Sequence, residues 1–98
     1  MEEIRRIKDI KDGENVVIEG IVLELFEPKK IVKKNGETIA LQEILVDDGE
    51  DGITLKLWGN QAGTVKENQK LKIQGYVSSF KDTKSISTGK YGKIEVVS

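Results

Sequence analysis

Cysteine and histidine are both missing from this chain of 98 residues. Their absence excludes disulfides, haem ligation and zinc sites built from thiolate and imidazole. It also removes the commonest general base and the thiol nucleophile, so any metal would have to be held by carboxylates alone. Proline occurs once, at Pro28, and there are only five aromatic residues: Phe26, Trp58, Tyr76, Phe80 and Tyr91. No apolar run approaches the roughly 20 residues that a membrane span needs. The opening stretch MEEIRRIKDIKDGEN is charged throughout and lacks the apolar core of a signal peptide. The expected setting is therefore cytoplasmic, with no membrane partner.

Charge is plentiful but nearly balanced, with a net of −1. Its distribution along the chain is uneven. Residues 1–34 are neutral overall, residues 35–69 are acidic, and residues 70–98 carry six lysines against Asp82 and Glu95. A neutral domain can still present a basic groove, because local fields depend on where the charges sit. The length suits one domain with a single core and no staples.

Hydrophobic periodicity reads as strands almost throughout. Ile4, Ile7 and Ile10, at three-residue spacing, suit a short helical turn that plugs a barrel end. Val16–Phe26 is a long β-branched strand. Within it Glu19 and Glu24 differ in parity, and both can face solvent if one extra residue intervenes, which Gly20 could accept as a bulge. Glu27–Glu37 is a loop or hairpin with Asn35-Gly36 at its tip. Strands follow at 38–47, 53–58 and 70–80, with further strand pieces at Ser85–Thr88 and Lys93–Val97. Residues 59–66 form a short turn or helix. This order predicts an all-β fold, a five-stranded Greek-key OB-fold barrel with a short helix between strands three and four. A single domain over residues 1–98 is expected, one module of a longer protein.

Alternation carries the functional reading. Ile53, Leu55 and Leu57 share one face of the third strand, so Thr54, Lys56 and Trp58 share the other. The only tryptophan thus falls on the polar side, although burial would have contributed several kcal/mol. It either serves binding there, folds over the barrel edge, or pairs with an outward neighbour. On the fourth strand Leu71, Ile73 and Val77 oppose Lys72, Gln74, Tyr76, Ser78 and Phe80, unless Gly75 shifts the phase. Phe80 could instead anchor its own loop, and Tyr76 could be half-buried for structural reasons. Rings outside with lysines between them are what a single-stranded nucleic acid requires, since bases stack on rings and ammonium groups follow phosphates. Lys29, Lys30, Lys33 and Lys34 lie in the first loop, and Lys81 and Lys84 lie before the last strand. In OB barrels those loops flank the binding face.

Other motifs fall away. The run Asp47-Asp48-Gly49-Glu50-Asp51-Gly52 suggests a calcium loop, but the twelfth position from Asp47 is Trp58 where a carboxylate is required. It reads as a hairpin turn. Nothing matches a phosphate-cradling loop or a dinucleotide fingerprint, and no catalytic constellation stands out. No cofactor, no small-molecule substrate and no enzymatic activity are expected.

The segment Gly52-Ile53-Thr54-Leu55-Lys56-Leu57-Trp58-Gly59-Asn60-Gln61-Ala62, with Val77-Ser78-Ser79-Phe80 and the following Ser85–Gly89, resembles the DNA-binding OB domains of replication protein A. Ile7–Gly13 and Val16–Leu25 fit the same family, especially its archaeal members. The resemblance implies non-catalytic, largely sequence-independent binding of single-stranded DNA in replication and repair, nucleoid-associated in a prokaryote. It assigns base stacking to Trp58 and Phe80, and phosphate contacts to Lys33, Lys34 and Lys56; Tyr76, Lys81 and Lys84 complete the expected interface. Family members often carry arginine near these rings, whereas here only Arg5 and Arg6 occur, both N-terminal. Lysine lacks the flat stacking guanidinium, which implies modest affinity per domain. Other OB domains of the same or a partner chain are expected partners. The alternatives are a protein–protein interaction OB domain and an RNA- or tRNA-binding OB module.

Overall fold

The computed structural model describes residues 3–88 and 92–97, except for the side chain of Phe80. Five strands make the frame: β2 (Asn15–Leu25), β4 (Thr38–Asp47), β5 (Gly52–Trp58), β6 (Lys70–Phe80) and β7 (Thr83–Ser87). Antiparallel ladders join β2 to β4, β4 to β5, β7 to β6 and β6 to β2, while β5 and β7 pair in parallel. These pairings form a ring with the connectivity of the OB fold. Three short strands lie against it: β1 (Ile4–Arg5) on β2, β3 (Lys29–Val32) on β4 and β8 (Lys93–Val96) on β6.

Closure depends on β2 serving two partners. Residues 15–21 pair with β6, and residues from Ile21 onward pair with β4. Gly20 sits at the changeover and faces inward, where a Cβ would collide with Val46 Cγ1 and the Asp47 carbonyl. The bulge expected at Gly20 lies instead at Leu23, between the paired residues Val22 and Glu24. Gly20 is required for close approach of β4, not for an extra residue. Glu24 is exposed and Glu19 partly so, so the bulge does reconcile the two glutamates with a solvent face.

Strict alternation fills the interior. Ile53, Leu55 and Leu57 are buried while Thr54, Lys56 and Trp58 are not. Gly75 keeps the phase of β6, since Leu71, Ile73 and Val77 are inside and Tyr76 is exposed. Ile7 and Ile10 join the same core cluster, whereas Ile4 remains 43% exposed. Truncating any of the fully buried aliphatic residues to Ala would cost about 2–5 kcal/mol.

One expectation is corrected. The helix between strands three and four is only a 3-10 turn, Gly59–Gln61, because Gly59 and Gly63 take φ of 63° and 81° and bend the chain out of any longer helix. Of the two readings of the first loop, the hairpin holds: β3 and β4 form an arm in register from Lys29↔Leu41 to Val32↔Thr38. The N-terminal turn is likewise short, a 3-10 segment at Ile7–Asp9. Among the described residues no helix is long and apolar enough to cross a membrane.

Candidate functional site

The outer surface of β4, β5, β7 and β6 gathers most of the residues selected by parity. Directly opposed residues on a sheet point to the same side. One lateral row runs Lys29–Leu41–Trp58, and the next runs Glu43–Lys56–Ser87–Tyr76. Trp58 is half-buried, outside the core cluster, and its Nε1 donates to Ser87 Oγ at 2.9 Å. It is therefore neither fully exposed nor enclosed. Its neighbour Leu41 is buried yet also lies outside the core cluster, so an apolar seat exists on the outside of the barrel. An indole tied by its N–H to a hydroxyl and set against a leucine is held in one orientation.

Tyr76 is 48% exposed. It stands two strand spacings from Lys56, roughly 10 Å. The Phe80 ring lies outside the described residues; the backbone of β6 runs on from Tyr76 to Phe80, four residues or on the order of 13 Å. Phe80 pairs with Thr83 across a two-residue turn in which Lys81 and Asp82 have φ of 52° and 65°. The polar loop expected after strand four is thus a tight hairpin turn.

The lysines divide. Lys56 sits between Glu43 and Ser87 in the outer row and makes no ion pair with a described residue. Lys33 and Lys34 are exposed at the tip of the β3–β4 arm, where Gly36 N–H donates to the Lys33 carbonyl at 2.9 Å. Lys29 pairs with Glu43 at 3.3 Å. Lys81 is exposed in its turn. Lys84 has a different task from the expected phosphate contact. Its Nζ donates to the carbonyls of Ile7 at 3.2 Å and Ile10 at 3.0 Å, which ties the N-terminal turn to the barrel and takes its ammonium away from the outer face.

The acidic turn helps to hold the same segment. Asp48 accepts the backbone N–H of Ile7 at 2.9 Å through one oxygen, and those of Glu50 and Asp51 at 2.9 and 3.0 Å through the other. Partial burial works against its ionised form, but the hydrogen bonds from Ile7, Asp51 and Glu50 outweigh it and hold the carboxyl below its ordinary value. The turn is built around this carboxylate.

Sequence reasoning passed over Phe26, which is 46% exposed. Its N–H donates to the Glu43 carbonyl at 3.1 Å, which sets it beside Glu43 on the outer surface. The signal was present, because Phe26 shares the parity of Glu24. Ser87, the anchor of the indole, had no sequence signal of its own.

The ring of five strands, with Trp58, Tyr76 and Lys56 on one outer face, defines an OB-fold domain. Sequence comparison narrows the class: the family profile of the replication protein A OB domain matches residues 4–96, and the chain belongs to that family. A relative from Saccharolobus solfataricus, the single-stranded DNA binding protein Ssb, is 33% identical over 94 residues. That match takes in 95% of this chain but 62% of the relative. The second OB-fold domain of replication protein A from Methanococcus maripaludis superposes with a TM-score of 0.83 at 21% identity, covering 97% of this chain and 95% of that one. A replication protein A heterotrimer bound to single-stranded DNA gives the same TM-score at 21% identity, with 98% of this chain matching 25% of that chain.

Proposed function

We propose that the outer face of β4, β5, β7 and β6 binds single-stranded DNA, without catalysis and largely without regard to sequence, in replication and repair. Bases stack on Trp58, Tyr76 and Phe80, and Lys56, Lys33, Lys34 and Lys81 follow the phosphates. The observation that carries this reading is the indole of Trp58, set outside the core and oriented by Ser87. A ring whose polar edge is already satisfied and whose position is fixed loses little entropy when a base lies on it. The choice of ligand is supported by two similar proteins: the Saccharolobus solfataricus relative is a single-stranded DNA binding protein, and the heterotrimer holds single-stranded DNA. One OB module covers about 4 nucleotides at the small end of the known range, so tight binding calls for several modules acting through effective concentration.

The test is the fluorescence of the single tryptophan on adding short oligo-dT. Quenching with a log–log salt slope near about −2, the release expected for three phosphates on a single strand, agrees with the proposal. Unchanged fluorescence and no oligonucleotide binding would refute it. Parallel titrations with oligo-rU decide between DNA and RNA.

A further inference from the structure

Phe26 stands where β2 leaves the barrel, and its backbone is held on both sides. Its N–H donates to the Glu43 carbonyl at 3.1 Å, and its carbonyl accepts from Gln42 Nε2, also at 3.1 Å. Gln42 is itself buried, with its Oε1 accepting from Gly63 N–H at 2.7 Å. The ring therefore projects from a rigid stem while remaining 46% exposed. It borders an open cleft of about 520 Å³ shared with Glu27, Pro28, Lys29 and Glu43. Phe26 extends the row Glu43–Lys56 by one strand, so it lies two strand spacings, roughly 10 Å, from Lys56. Tyr76 lies equally far on the other side. Trp58 thus stands between two exposed rings.

The chemistry of the cleft is unlike that around Trp58. It is lined by Glu27 and Glu43 and by Lys29, whose Nζ is already engaged by Glu43 Oε1 at 3.3 Å, so acceptors outweigh donors there. An ionised carboxylate only accepts hydrogen bonds. It suits the exocyclic amino group of cytosine and disfavours the carbonyl oxygen that thymine presents at the equivalent place. We infer that this cleft is a further base subsite of the strand bound at Trp58, in which a base stacks on Phe26 and one bearing an exocyclic amino group is preferred. The inference rests on the single-stranded DNA reading given above. The flanking carboxylates face the base edge, and the phosphates of the same strand keep to Lys56 and the arm.

Affinities of dT6, of dT5 with one dC added at the 5′ end, and of dT5 with one dC added at the 3′ end are compared by quenching of Trp58. The proteins are the intact chain and its Phe26→Ala, Phe26→Leu and Phe26→Tyr variants. Leucine retains apolar bulk, so that variant folds whatever the fate of the alanine one. Both non-aromatic variants are expected to bind dT6 at least about fivefold more weakly, the low end of a single stacked base, and tyrosine to restore the affinity. A terminal dC should tighten binding to the wild-type chain at one end only, and that gain should vanish with leucine at position 26. Wild-type affinity in the leucine variant would overturn the subsite while leaving the proposed function standing. Equal affinity of the three oligonucleotides for the wild-type chain would overturn the base selection. Failure of the wild-type chain to bind any of them would remove the underlying reading instead.

Discussion

Two regions of this barrel use the same residue types to opposite ends. At the end that carries the β4–β5 and β6–β7 turns, Asp48 and Lys84 are both turned onto the backbone of residues 7–10. On the outer face, Glu43 and Lys56 lie opposite each other on adjacent strands and satisfy no backbone group of the plug. A charged side chain is drawn to whatever unpaired backbone groups lie near it. The short N-terminal turn supplies such groups at one end, and the fully paired ladders of β4, β5 and β7 supply none on the face. Lys56, which has no ion pair with a described residue, remains available to a ligand, whereas Glu43 is held by Lys29 at 3.3 Å. The difference between the two regions is one of competition, not of composition.

The largest test of that contrast is Asp48→Ala. Loss of a carboxylate that serves three backbone N–H groups should lower unfolding free energy by about 3 kcal/mol in urea titrations, with oligonucleotide affinity of the remaining folded protein unchanged. Acid should act on the same group. Because the folded carboxyl lies below its ordinary value of 3.8, the unfolded chain takes up the proton first. The stability that Asp48 contributes is complete above that value and disappears as pH falls through the lower folded one. The slope of stability against pH below about 4.5 should therefore be shallower in the alanine variant.

Trp58→Ala is the mirror image. It should weaken single-stranded DNA binding by about 2 kcal/mol and change the thermal midpoint less than a core truncation such as Leu55→Ala. A protein that unfolds instead would show that the indole belongs to the core. Lys84→Met should cost about 1 kcal/mol of stability and leave the salt slope of binding alone; a shallower slope would return Lys84 to the interface. The smallest change expected is Asp82→Gly. With φ at 65° in a two-residue hairpin turn, glycine relieves a left-handed conformation and should add about 0.5 kcal/mol.

What could be read from the sequence follows from the range of each interaction. Strand faces have a period of two, so Ile53, Leu55 and Leu57 against Thr54, Lys56 and Trp58 were legible without coordinates. Strands 38–47 and 70–80 were placed to the residue. The short helix expected after Trp58 is only a 3-10 turn because Gly59 and Gly63, both with positive φ, bound it within one turn. Lys84 was illegible because its partners lie 77 and 74 residues away in the chain, and a lysine before a strand carries no mark of that. The serine that anchors the indole was hidden likewise, since the parallel pairing of β5 with β7 is set by the closure of the whole ring.

That ring has a consequence for how the molecule comes apart. β2 is a wall of both halves, pairing with β6 along its first part and β4 along its second. Neither half keeps a complete core once β2 leaves, so partial opening gains little chain entropy before the buried aliphatic side chains meet water. Denaturation should accordingly be a single cooperative event with coincident transitions by different probes. Because its defining contacts span residues 15 to 76, refolding should be slow for a chain of this size.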